Sequence, residues 1–204
     1  MKELLQLDVS QQKELYFNFL YNMVKMIRIV LCGDGATGKT TLTQAYLGKE
    51  VSLNTKMTIG IGIEAFRVQI PGDDLVHVVV YDLGGQEQFR QIRELFLTYA
   101  NVIVLVFDRL RTKTFIDLEW WMSHINERLP GVPIILVENK IDAAQKITED
   151  EIKAFMEKYP QIVGYVATSA LQKINVDQLF TAAILIALGM EYDPSIVIKP
   201  IGRE

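Results

Sequence analysis

One lysine and three threonines stand among three glycines in residues 33–41, GDGATGKTT. Residues 33–40 fit the spacing G-x-x-x-x-G-K-[ST]. In that spacing the glycines let the backbone curl so that successive N–H groups point inward. Together with the N-terminus of a following helix they form an anion cradle. Lys39 would reach the β- and γ-phosphates of a nucleotide, and the Thr40 hydroxyl would bind Mg²⁺. The candidate phosphate-binding residues are Gly33, Asp34, Gly35, Ala36, Thr37, Gly38, Lys39, Thr40 and Thr41. Gly35, without a Cβ, leaves room beside the γ-phosphate for an attacking group.

The base is chosen about a hundred residues later, in ENKID. Asn139, Lys140 and Asp142 form an N-K-x-D set after the apolar run VPIILV, at a strand end, where open α/β sheets bind ligands. A carboxylate at Asp142 accepts two hydrogen bonds from the guanine N1–H and 2-amino group. Adenine offers neither, so the carboxylate would be left unpaired at a cost of about a few kcal/mol. Asn139 would tie the loops together and the Lys140 stem would lie against the base. The run VVVYDLGGQEQF adds D-x-x-G-Q. Asp82 would hold Mg²⁺ through water, Gly85 would offer its N–H to the γ-phosphate, and Gln86 would orient a water for in-line attack. Gln86 and Lys39 are the candidate catalytic residues. Thr40 and Asp82 are candidate metal ligands.

These motifs need elements to hold them. Residues 26–32, MIRIVLC, form a continuous apolar run that suits a strand covered on both faces. TTLTQAYLG follows as a helix, with Gly48 as its C-cap. IEAFRVQI and LVHVVVYD, joined by PGDD, read as a hairpin. NVIVLVFD, VPIILVEN and IVGYVATS are further strands. TFIDLEWWMSHINERL, TEDEIKAFMEKY and NVDQLFTAAILIALGM are helices, the second opening with a capping box from Thr148 to Glu151. Alternating strands and helices predict an α/β fold: a mostly parallel six-stranded sheet with one antiparallel edge strand and helices on both faces. Trp120 and Trp121 share one helix, so one should face the core. His77 and His124 stand alone on their elements, and neither is assigned to a metal or to catalysis.

The bulk numbers agree. A chain of 204 residues, half of them apolar, supports one well-buried domain. A net charge of −4 argues against nucleic acid as a partner. Cys32 is the single cysteine and lies inside the first apolar run, which excludes a disulfide framework and fits a reducing, cytoplasmic compartment. No apolar run approaches the roughly 18 residues of a membrane span. Lys2 stands where N-myristoylation needs glycine, and IVIKPIGRE lacks a cysteine for prenylation, so no lipid anchor is expected.

With these three motifs in this order, the chain resembles the Ras-like small GTPases, whose fold is the P-loop NTPase G domain. The match covers about residues 26–190. GDGATGKTT looks closest to the Ran and Rab branches, and DLGGQE is also similar to the Arf branch. The resemblance implies GTP/GDP and Mg²⁺ as ligands and slow GTP hydrolysis. It also implies switch loops, here residues 51–62 and 84–95, read by regulatory and effector proteins. It implies that Thr58, 19 residues after Lys39, binds Mg²⁺ and the γ-phosphate. TSA at 168–170 resembles the last family motif, so the Ala170 N–H would contact guanine O6, with Ser169 and Leu171 beside it. Two departures thin the wall around the base. The family's aromatic after the first helix falls at Val51, and the lysine that covers the base is Leu171. Both predict faster intrinsic GDP release.

Residues 1–25 read as an N-terminal helix extension, with Leu15, Phe19, Met23 and Tyr16, Leu20, Val24 at helical spacing, and residues 191–204 as a C-terminal tail. The Arf-branch precedent makes this helix the one candidate for peripheral membrane contact. Its charges cancel, whereas a membrane-surface helix usually has a basic polar face. Packing on its own domain or on a partner is the favoured expectation. Two other functions compete with the switch. A non-hydrolysing guanine-nucleotide-binding module is opposed by Gln86, Thr58 and Lys39. A P-loop kinase is opposed by N-K-x-D and D-x-x-G-Q. No internal arginine finger is evident from the motifs.

Overall fold

Every residue of VIVLVFD, Val102–Asp108, is buried, as a strand covered by helices on both faces requires. The computed structural model describes residues 25–51, 60–72, 75–84 and 90–201. Of the helix expected over 11–25 only Lys25 is described, and it opens the first strand. Thr58, Gly85 and Gln86 lie outside the described residues, as does the rest of that helix.

The strands are β1 (Lys25–Cys32), β2 (Ile61–Gln69), β3 (Leu75–Leu83), β4 (Val102–Asp108), β5 (Ile134–Asn139), β6 (Ile162–Thr168) and β7 (Pro200–Ile201). The helices are α1 (Lys39–Tyr46), α2 (Arg90–Leu97), α3 (Thr112–Ile116), α4 (Leu118–Arg128), α5 (Glu149–Lys158) and α6 (Val176–Ala187). The sheet order is β6-β5-β4-β1-β3-β2-β7. β1, β3, β4, β5 and β6 run parallel, and β2 pairs antiparallel with β3 as the expected hairpin.

The α/β architecture is as expected, but among the described residues the sheet has seven strands and not six. Pro200 and Ile201 pair antiparallel with Val68 and Arg67, so β7 and not β2 is the last strand on that side. Two residues carry no readable periodicity. Tertiary contacts seat them: Ile198 is buried, its carbonyl accepts from Tyr46 Oη at 2.9 Å, and its N–H donates to Thr181 Oγ1 at 2.9 Å.

Alternation of side chains across the sheet gives each face its own core. Ile27, Ile29 and Leu31 of β1 pack with Leu42 and Tyr46 of α1 and Phe180 and Ile184 of α6. Val30 and Cys32 face the other way, toward Leu97 of α2, Met122 of α4 and Phe155 of α5. Tyr46 stacks on Phe180 with ring centroids 4.3 Å apart. The long helix expected from TFIDLEWWMSHINERL is divided at Asp117 into α3 and α4. Trp121 faces the core while Trp120 remains 43% exposed and stacks on His124. The capping box is present: Thr148 Oγ1 accepts from the Glu151 N–H, and Glu151 accepts from the Thr148 N–H at 2.7 Å.

Candidate functional site

Parallel register brings the carboxyl ends of five strands to one edge. Leu31 of β1 lies beside Asp82 of β3, Asp108 of β4 beside Asn139 of β5, and Asn139 beside Thr168 of β6. Residues far apart in sequence thereby share one rim.

Between β1 and α1 the chain from Gly33 to Gly38 makes the expected loop. Gly33 has φ +123°, and a Cβ there would collide with the Val106 carbonyl oxygen of β4. Gly38 has φ +97°, and a Cβ there would run into Asn139 Nδ2. Glycine is required at both by close approach as well as by backbone conformation. Ala36 adopts φ +60° without being glycine, a conformation that its surroundings must hold. Thr37 is buried and its hydroxyl donates to the Asp34 carbonyl at 3.0 Å.

Lys39 opens α1 and is buried. Its ammonium donates to the carbonyls of Gly33 at 2.7 Å and Asp34 at 2.8 Å, so it spans the mouth of the loop. Burial pushes its pKa down from the ordinary 10.5, and the charge of Asp82 works against that shift. Thr40 donates through its hydroxyl to Asp82 Oδ2. A hydroxyl and a buried carboxylate, both hard oxygen donors, meet here. That donor set suits Mg²⁺, which takes one or two protein oxygens and completes its shell with phosphate oxygens and water. Thr41 lies in the first turn of α1.

Asn139 joins three loops. Its Nδ2 donates to the Thr37 carbonyl at 2.8 Å, and its Oδ1 accepts from Thr168 Oγ1 at 3.1 Å and from the Ala170 N–H at 3.2 Å. Lys140 sits at φ +69°, and its ammonium reaches the Ala36 carbonyl at 3.0 Å and Asp108 Oδ2 at 2.7 Å. Asp142 Oδ1 accepts from Ser169 Oγ at 2.5 Å, and Ser169 Oγ also accepts from the Gln172 N–H at 3.0 Å. Leu171 is 43% exposed next to this rim. Val51 packs against the core with Leu47. The structure thus brings together the candidate phosphate loop, Asp82, the N-K-x-D set and residues 168–171.

Three residues of the site had no place in the motif reading. Asp108, 1% exposed, ends β4. Burial works against its charge, yet the bonds from Lys140, the Leu110 N–H and Arg111 hold its carboxyl below the ordinary 3.8. Arg111 donates to Asp108 Oδ2 at 2.8 Å and to the Gly35 carbonyl at 2.9 Å. Trp121 Nε1 donates to Asp34 Oδ1 at 3.1 Å, tying α4 to the loop. A carboxylate closing a fully apolar strand was the available signal for Asp108. Nothing local marks Arg111 or Trp121.

On the α2 side of the rim, Glu94 takes His124 Nε2 at 3.4 Å and Arg128 Nη2 at 3.2 Å. His124, solitary in sequence, is therefore partnered across two helices. The helix following D-x-x-G-Q is thereby tied to α4.

The sequence model of the Ras family matches residues 28–188. The chain is 32% identical over 162 residues to the Ras-related protein RIC2 of Oryza sativa subsp. japonica, covering 78% of this chain and 73% of the relative. It is 31% identical over 184 residues to the Ras-related protein RABG3b of Arabidopsis thaliana, covering 86% and 90%. Against the Ras-related protein Rab-11A of Dictyostelium discoideum it is 32% identical over 167 residues, covering 80% and 74%.

Proposed function

The chain belongs to the Ras family and is a GTPase, and on that premise we propose that it is a GTP·Mg²⁺-dependent molecular switch built on the rim just described. The observation that carries this reading is the bonding of Asn139, which couples the phosphate loop to the loops that would recognise guanine. A nucleotide with both a triphosphate and a guanine would span both halves.

In this reading the N–H groups of residues 33–39 and the Lys39 ammonium hold the β- and γ-phosphates. Thr40, Asp82 and Thr58 would hold Mg²⁺. When bound, the ion neutralises charge on the phosphate oxygens. Asp142, oriented by Ser169, reads the guanine N1–H and 2-amino group, while Ala170 offers its N–H to O6 and the Lys140 stem lies along the base. Gly85 donates to the γ-phosphate and Gln86 orients the attacking water. The γ-phosphate keeps residues 51–62 and 84–95 in one arrangement, and its loss releases them, so that regulators and effectors read the difference. Intrinsic turnover is slow, and an arginine supplied by a partner adds on the order of 10³–10⁵-fold.

Single-turnover hydrolysis of GTP and of ATP by the purified chain with Mg²⁺, beside Gln86→Leu, tests this. The expected result is slow turnover of GTP alone, with a variant that binds GTP and stalls. Binding without turnover by the wild-type chain would favour a non-hydrolysing guanine-nucleotide module. Turnover of ATP would overturn the role of Asp142.

A further inference from the structure

Two cations grip successive carbonyls of the phosphate loop. Arg111 Nη2 bonds the Gly35 carbonyl at 2.9 Å, and Lys140 Nζ bonds the Ala36 carbonyl at 3.0 Å. Both are anchored on one oxygen: Asp108 Oδ2 takes Arg111 Nε at 2.8 Å and Lys140 Nζ at 2.7 Å. Asp108 is buried at the end of β4, so the clamp stands on the rigid sheet and not on the loop it holds.

The chemistry follows from the peptide group. No described peptide bond is cis. In a trans peptide the C=O and the next N–H lie on opposite sides of one planar, conjugated unit. A guanidinium on the Gly35 carbonyl therefore leaves the Ala36 N–H pointing the other way. It also draws electron density through the amide, strengthening that N–H as a donor by roughly 10–30%. Lys140 does the same for the Thr37 N–H. Ala36 lies between the two gripped peptide units in a left-handed conformation that alanine rarely adopts, and paired grips on either side hold it there. Such a turn presents its N–H groups to an anion.

The geometry points to Arg111 as a positioning residue for the phosphate loop: acting through the Gly35 carbonyl, it aims and polarises the Ala36 N–H toward the nucleotide's phosphates. This rests on reading residues 33–41 as a nucleotide cradle. Arg111 touches no phosphate in this role. It acts on a donor that matters most where negative charge grows during γ-phosphate transfer to water. Turnover is therefore more sensitive to Arg111 than binding is. Because its side chain is 43% exposed, removing it need not disturb the fold.

The test is single-turnover GTP hydrolysis and GTP affinity for wild type and Arg111→Ala, with and without millimolar guanidinium and with urea as a neutral isostere. The expected result is turnover slowed about tenfold and affinity lowered about threefold or less. Guanidinium, and not urea, should restore turnover, because only the cation refills the site. An Arg111→Ala variant that turns over within about twofold of wild type would overturn the proposal. So would equal losses of affinity and turnover that guanidinium does not reverse, which would leave Arg111 a role in loop folding alone. Absence of GTP binding by the wild-type chain would instead remove the cradle reading, and the wild-type control separates that failure from the others.

Discussion

Asp34 shows how a single residue in the Gly33–Gly38 loop trades stability for position. Burial raises its carboxyl above the ordinary 3.8, the Trp121 N–H bond lowers it, and the Asp117 carboxylate nearby raises it again. The net shift is upward. A raised folded-state pKa means that the fold favours the protonated form, so the ionised residue costs stability at neutral pH. That cost disappears as pH falls through the raised value toward the unfolded one. Asp34→Asn keeps an oxygen for Trp121 and removes the charge. The variant is expected to be more stable than wild type near pH 7, with the advantage gone near pH 3.5. Urea midpoints of both proteins across that range check it. A constant difference at all pH values would show that charge is not the cause. Lys39 carries the same conflict with opposite sign, since burial lowers an ammonium's pKa, and two loop carbonyls hold it in place.

At the scale of elements, the loops leaving β5 and β6, which the proposed function assigns to the base, differ in how well they are held. The N-K-x-D loop is pinned at Asn139, at Lys140 and through the Arg109 N–H, which donates to the Asn139 carbonyl at 3.0 Å. Below it, Arg109 bonds buried Glu138 at 2.8 Å and 3.2 Å, and Tyr165 Oη donates to the same carboxylate at 2.5 Å. The loop after β6 is fixed up to Ala170, and then Leu171 turns to solvent. A leucine there offers no charge to a nucleotide, whereas a lysine stem can cover the base and its ammonium can reach a phosphate or ribose oxygen. Leu171→Lys is expected to slow GDP release by about five- to tenfold, equivalent to roughly 1 kcal/mol of added contact. Stopped-flow release of a fluorescent GDP checks it, and an unchanged rate would remove Leu171 as a determinant of release.

The whole molecule is closed by a segment that reads as a tail. Residues 198–201 return across α1 and α6 to extend the sheet beyond β2. Ile198 fills the core, Tyr46 and Thr181 bond its backbone, and Lys199 pairs with Asp177. Tyr46, whose hydroxyl is held protonated by burial and by the charge of Asp177, is also the ring on which α1 meets α6. Ending the chain at residue 190 removes a buried isoleucine and strands the Tyr46 hydroxyl. The expected loss is about 2–4 kcal/mol of unfolding free energy. Denaturant unfolding measures it. A loss below about 0.5 kcal/mol would mean that the strap adds no more than a surface segment does.

Local chemistry was enough for much of this protein. The loop between β1 and α1 is written in glycines because the backbone turns they permit are local, and β4 is legible because a strand covered on both faces must be apolar throughout. The capping box of α5 is legible for the same reason: its partners are three residues apart. Membership of the Ras family followed from those motifs and the matched span. Tertiary structure decided what depends on distance in space and not in sequence. It placed Arg111 on Gly35, 76 residues away, and Trp121 on Asp34, 87 residues away. It gave His124 its Glu94 partner and made two residues near the C-terminus a seventh strand. Side chains that work by reaching another element leave no periodicity behind, because their meaning is set by the register of the sheet that brings the two elements together.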